Sequence, residues 1–142
     1  GKPAGALYPG TMHIPLMVRH PKGTGAGGRF SNLAYTLDVP ATVCAAAGTK
    51  PEQGVHGQNL LGLMEGSGEW RDREYVTCRY SNCVWYRDDA NWYFSNARFE
   101  NVRLFDLEAG DPFKQSIAGK APERVKRAQQ RILEEPGGPL PD

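Results

Sequence analysis

The sequence predicts an α+β fold: a strand and two short helices come first, then a small antiparallel β-sheet packed with a C-terminal helix. Three observations carry this. Residues 13–19, HIPLMVR, are an apolar run set between Gly/Pro-rich segments. Residues 74–107 alternate β-branched and aromatic stretches with polar turns. Residues 122–135 place Val125, Ala128 and Ile132 on one helical face, with Arg and Gln around the rest.

Taken in order, residues 13–19 read as a buried or half-buried strand, and PKGTGAGGR after it reads as a loop. Residues 38–47, DVPATVCAAA, read as a short helix. Asp38 is placed to cap its free N–H groups, Pro40 is tolerated in the first turn, and Gly48 stops it. Residues 58–65, QNLLGLME, read as a second helix ended by Gly66. The runs 74–80, 83–87, 92–95 and 102–107 read as strands of a meander, separated by RYSN, DDAN and NARFEN. A sheet this small needs one face covered, and the helix over 122–135 is the expected cover. The tail 136–142, PGGPLPD, is expected to be disordered.

The 142 residues suffice for one domain or little more. Lys and Arg number 17 against 16 Asp and Glu, a balance that gives no basis for a nucleic-acid or membrane partner. No apolar run approaches the roughly 18 residues of a membrane span. Cellular location is left open.

Several constellations compete with plainer readings. Residues 23–28 match GxGxxG, but Pro21 and Lys22 separate them from the strand and no helix pattern follows, so a surface loop is the better reading. His13, His20 and His56 show no metal-ligand spacing. Cys44, Cys78 and Cys83 form no CxxC. Cys78 and Cys83 could face each other across a hairpin with loop 79–82, and free thiols are the favoured reading. Asp106 and Asp111 read as strand-end and turn residues, and the pair Asp88-Asp89 as solvated. Trp85, Tyr86, Trp92, Tyr93 and Phe94 read as a packed sheet surface ahead of a sugar-stacking platform.

Four stretches carry a family resemblance. GKPAGALYPGTMHIPLMVRHP resembles a segment with a lysine, an "LYxE" turn and an "RVPLIVRxP" strand, through Lys2, Leu7, Tyr8, Ile14, Pro15, Leu16, Val18, Arg19 and Pro21. LDVPATVCAAAG resembles "xDxxPTLLxLAG" through Asp38, Pro40, Thr42 and Gly48. VHGQNLLGLMEG resembles "xxGxSLLPLLxG" through Gly57, Leu60, Leu61, Leu63 and Gly66. RLFDLEAGDP resembles "ELYDLxxDPxExxNLA" through Leu104, Phe105, Asp106, Leu107, Asp111 and Pro112. In this order, over about residues 1–118, they resemble the C-terminal portion of sulfatases of the alkaline-phosphatase superfamily.

The resemblance implies that 1–68 is the strand–helix end of a sulfatase α/β domain, and 69–135 a C-terminal subdomain of antiparallel sheet plus helix. It implies a sulfuric ester hydrolase in which a formylglycine, made from a C/S-x-P-x-R motif, attacks sulfur, with calcium polarising the sulfate. This sequence contains no C/S-x-P-x-R, so the chain alone is expected to be inactive. Lys2 corresponds to a sulfate-binding lysine, and His13 stands where an arginine is common, at the cleft or merely at the strand end. Pro9, Phe113 and Lys114 depart from the family wording at local turns. A non-catalytic interaction module of the same fold, or part of a phosphate or phosphonate ester hydrolase, are the alternatives. Self-association is expected through surface that the rest of such an enzyme would cover.

Overall fold

The computed structural model describes residues 7–20, 22–52 and 56–134. Its elements in chain order are α1 (Pro9–Met12), α2 (Asp38–Ala46), α3 (Leu60–Glu65), β1 (Val76–Tyr80), β2 (Cys83–Arg87), β3 (Asn91–Asn96), β4 (Arg103–Asp106) and α4 (Pro122–Glu134). The chain divides into two compact units, one of Gly1–Pro15 with Glu74–Asp142 and the other of Leu16–Arg73. Residues 7–15 are thus grouped with the sheet unit.

The sheet unit is a meander in the order β1-β2-β3-β4, antiparallel throughout. Because side chains alternate across a strand, one face carries Val84, Tyr86, Tyr93 and Leu104. These pack on Ala128 and Ile132 of α4, with Val125 at the margin, so the helix covers the sheet as its 3.6-residue spacing predicts. The opposite face carries Trp85, Trp92, Phe94 and Phe105. Tyr8 and Phe113 complete this aromatic layer, with ring centroids 5.1 Å apart for Tyr8–Phe94 and 5.6 Å for Trp92–Phe113. The Trp92 indole Nε1 donates to the Leu7 carbonyl at 2.9 Å, tying the amino-terminal residues to this face. The aromatic run is therefore packed surface, and all five of its members are buried.

The β1–β2 turn corrects the proposed cysteine geometry. Tyr80 pairs with Cys83 and Cys78 with Trp85, so only Ser81 and Asn82 form the turn, and the two cysteines are not opposite each other. Ser81 takes the left-handed backbone that so tight a turn needs, at φ 52°. All three thiols are free.

Residues 13–19 are a second correction. They form no strand and are exposed throughout, Met17 at 92%. A strand needs a neighbour to accept its N–H groups, and no described residues pair with this run. Pro15 removes one of its donors as well.

In the unit Leu16–Arg73, α2 and α3 are joined by buried polar bonds. The Thr42 hydroxyl donates to the Asp38 carbonyl at 2.7 Å and accepts from Leu60 N at 2.9 Å. Asn59 caps α3 by accepting from Leu61 N at 3.0 Å, and Gly66 ends it at φ 63°. Gly48 follows α2 at φ 69°. The expected capping role of Asp38 is not what the fold uses: Leu37 is the N-cap residue, and no side chain caps the helix. The Asp38 carboxylate turns instead to Arg73, Tyr35 and Gln58.

Gly57 is held by close approach. A Cβ there would overlap the carbonyl of Leu37 and crowd the Asp38 backbone, neither of which is a movable side-chain tip. Gly57→Ala is therefore expected to destabilise this unit by roughly 1–3 kcal/mol. Hydrogen exchange at Gln58 N checks it, and unchanged protection would refute the packing argument.

Candidate functional site

Lys2, the expected sulfate-binding residue, lies outside the described residues, as do Pro21, Glu135 and the tail 136–142. His13 is the C-cap residue of α1, where its N–H donates to the Pro9 carbonyl at 2.8 Å. Its side chain is exposed and, among the described residues, makes no hydrogen bond or ion pair. An exposed imidazole without an orienting partner can bind an anion but is not held in one tautomer for proton transfer.

His20 is more constrained. Its Nδ1 accepts from Lys22 N at 3.2 Å, and its Nε2 lies 3.6 Å from Glu65. These bonds tie down the glycine loop, in which Gly23, Gly25 and Gly27 all adopt positive φ within successive turns. The first helix after the loop is α2, so no helix N-terminus stands ready for a phosphate, in line with the surface-loop reading.

Among the described residues no group of three or more His, Cys, Asp or Glu side chains comes together to hold a metal ion. Among the described residues no donor set fits the calcium ion that the resemblance implies. Burial pushes the Cys78 thiol above its usual range, which makes it a poor nucleophile.

The densest polar cluster surrounds Asp88, which the sequence left as solvated but which is 4% exposed. Its Oδ1 accepts from Ala90 N, Asn91 N and Asn91 Nδ2 at 3.0, 2.6 and 2.8 Å. Its Oδ2 accepts from the Tyr86 hydroxyl at 2.6 Å and from Arg127 at 3.1 Å. Burial, and then the neighbouring carboxylate, raise the Tyr86 phenol well above its usual value, so it stays a donor. Alongside, Arg124 donates to Asn91, Asp106 and the Ala90 carbonyl, and holds the Asp106 carboxyl below its usual range. Every member of this cluster is occupied by another. It locks the β2–β3 turn to α4.

Two further donors escaped the sequence reading. The Trp85 Nε1 and the Arg87 Nε are buried and meet no acceptor. Their i, i+2 spacing on a strand was the signal that places them on one face.

No protein-family model matches the chain. It is similar to Arylsulfatase K of Xenopus laevis, 24% identical over an alignment of 142 positions that covers 89% of this chain and 26% of that protein. Its fold is similar to a phosphonate monoester hydrolase from Silicibacter pomeroyi, with TM-score 0.59 and 17% identity over 69% of this chain and 24% of that one. It is also similar to a 2-O GAG sulfatase, with TM-score 0.51 and 17% identity over 67% of this chain and 22% of that one. The chain thus spans about a quarter of the length of the proteins it matches. The wording of the four sequence stretches, the α+β architecture and these likenesses together support a relationship between this chain and the C-terminal portion of the sulfatase/alkaline-phosphatase superfamily.

Proposed function

We propose that this chain is the C-terminal part of a sulfatase-like sulfuric ester hydrolase and does not hydrolyse esters by itself. The observation that carries the reading is the similarity to Arylsulfatase K over 89% of the chain. The absence of a C/S-x-P-x-R motif from the sequence supports the second half of it. In such an enzyme, residues 1–68 would end the catalytic α/β domain and residues 69–135 would form its C-terminal subdomain. Lys2, with His13, would bind the sulfate of the substrate by neutralising developing oxyanion charge. The calcium ion would be held by residues other than those described here.

This reading also accounts for the exposed apolar run. Ile14, Leu16, Met17 and Val18 are all more than a third exposed, an uncommon cost for a water-facing segment. Such surface would be covered by the remainder of the enzyme, and in its absence would drive self-association. The interaction-module alternative loses its aromatic platform, because those rings are buried.

The test is turnover of an aryl sulfate by the purified chain with calcium. No hydrolysis above the buffer blank is expected. Turnover that persists through successive purification steps would overturn the proposal. Sedimentation at high concentration is expected to show oligomers, and a clean monomer would count against coverage of the apolar run.

A further inference from the structure

The glycine loop that follows the apolar run is fastened at its root by His20. The His20 side chain is 12% exposed, and its two ring nitrogens meet different partners. Nδ1 accepts from Lys22 N at 3.2 Å. Nε2 lies 3.6 Å from the carboxylate of Glu65, the last residue of α3. A ring nitrogen that accepts an N–H carries no proton of its own. The neutral ring is therefore held in one tautomer, with its proton on Nε2 and turned toward Glu65.

The loop rests on the same end of α3. A Cβ added to Gly25 would stand 3.4 Å from both the Cβ and the carbonyl oxygen of Met64. Along the loop, Gly23 N donates to the His20 carbonyl, Ala26 N to that of Gly23 and Gly28 N to that of Gly25, at 3.0, 3.0 and 2.9 Å. The bond from Lys22 N to the imidazole braces the first of these turns from its side chain. Among the described residues, Glu65 is the ion-pair partner of the ring. The charged residues beside it in its own segment are Arg19 and Lys22, both exposed.

A proton taken up from solvent acts on the two nitrogens in opposite senses. It binds at Nδ1, since Nε2 already carries one. Imidazolium donates from both nitrogens and accepts at neither. At Nε2 the new charge faces a carboxylate, and that contact strengthens. At Nδ1 the new N–H meets the N–H of Lys22, and the bond is lost. Histidine is the side chain that ordinarily changes charge between about pH 5 and about pH 8.

We propose that His20 is a pH-sensitive latch on the glycine loop: neutral, it holds Lys22 N; protonated, it stays on Glu65 and releases the root of the loop. The latch does not depend on the hydrolase reading, and its test does not read turnover.

The test is NMR of the full ¹⁵N-labelled chain, titrated from about pH 8 to about pH 5. At the upper end the His20 ring is expected in the Nε2–H tautomer, with a ¹⁵N–¹⁵N coupling across the hydrogen bond from Lys22 N to Nδ1. The coupling is expected to vanish as the ring takes up its proton, and the Lys22 amide to shift along the same curve. His20→Asn gives the same N–H a side-chain acceptor that does not titrate, and is expected to flatten the Lys22 curve. Glu65→Gln removes the ion pair and keeps the latch, so the Lys22 response is expected to persist. A neutral ring protonated at Nδ1, or one without the coupling, would overturn the proposal. So would a Lys22 amide that stays fixed while the ring titrates, or a Lys22 response that survives His20→Asn. A response that disappears in Glu65→Gln would assign it to the ion pair and overturn the latch as well. If a variant fails to fold, the tautomer and the coupling in the wild-type chain decide.

Discussion

Asp38→Ala is expected to destabilise the unit Leu16–Arg73 by about 3–5 kcal/mol, the range seen when one partner of a buried ion pair is removed. Asp38 is fully buried, and its two oxygens meet Arg73 at 2.7 and 3.0 Å. They also accept from Tyr35 N and Gln58 N, both at 2.7 Å. The carboxylate thus gathers three points of the chain that are far apart in sequence. Its loss takes the anion from a guanidinium at 15% side-chain exposure and removes the acceptor that the Tyr35 and Gln58 amides share. Among the described residues, Arg73 would retain its bond to the Leu33 carbonyl and its contacts with the Tyr35 and Trp70 rings. Hydrogen exchange at Tyr35 N and Gln58 N checks this directly. Protection equal to the wild type would show that the pair is not what holds the unit.

The sheet unit has its own counterpart. Asp88→Ala is expected to cost about 3 kcal/mol, because several buried or half-buried donors lose their acceptor at once. Asp88→Asn keeps the shape and one carbonyl oxygen, so it is expected to cost about half as much. Urea unfolding followed by the fluorescence of the buried Trp85 and Trp92 measures both. Equal stability of Asp88→Ala and the wild type would show that these bonds do not hold the β2–β3 turn against α4. The two substitutions act on different units, so the Asp38 variant should leave this transition little changed.

Both carboxylates show where sequence reading stops. Their identity and position were legible; their burial was not. Asp88 sits in a turn whose DDAN wording reads as solvated, yet Arg127 reaches it from a helix 39 positions later. Asp38 stands where a capping residue belongs, but Arg73, 35 positions on, claims its oxygens. In each case the deciding partner is a long-range arginine, and local pattern carries no information about it.

Elements fixed by their own periodicity were readable. The meander follows from alternating β-branched and aromatic residues, and α4 follows from Val125, Ala128 and Ile132. The run 13–19 was misread for the opposite reason: its residues suit a strand, but a strand is a property of pairs. Of the two residues proposed to bind substrate, His13 is exposed in the structure and Lys2 lies outside the described residues. The orphaned donors of Trp85 and Arg87 were readable only as a shared face, since an absent acceptor leaves no mark in a sequence.

The bond from Trp92 to Leu7 closes a loop of 85 positions, whereas each hairpin of the meander closes over a few residues. Loop-closure entropy orders these events in time. The hairpins and α4 can assemble from neighbouring chain, and the amino-terminal residues dock afterwards. On this order, the face bearing Trp85, Trp92, Phe94 and Phe105 is expected to stay open to water until they dock. The hazard in folding therefore lies in the delay before Leu7 and Tyr8 arrive, when an uncovered aromatic layer is most able to meet another chain.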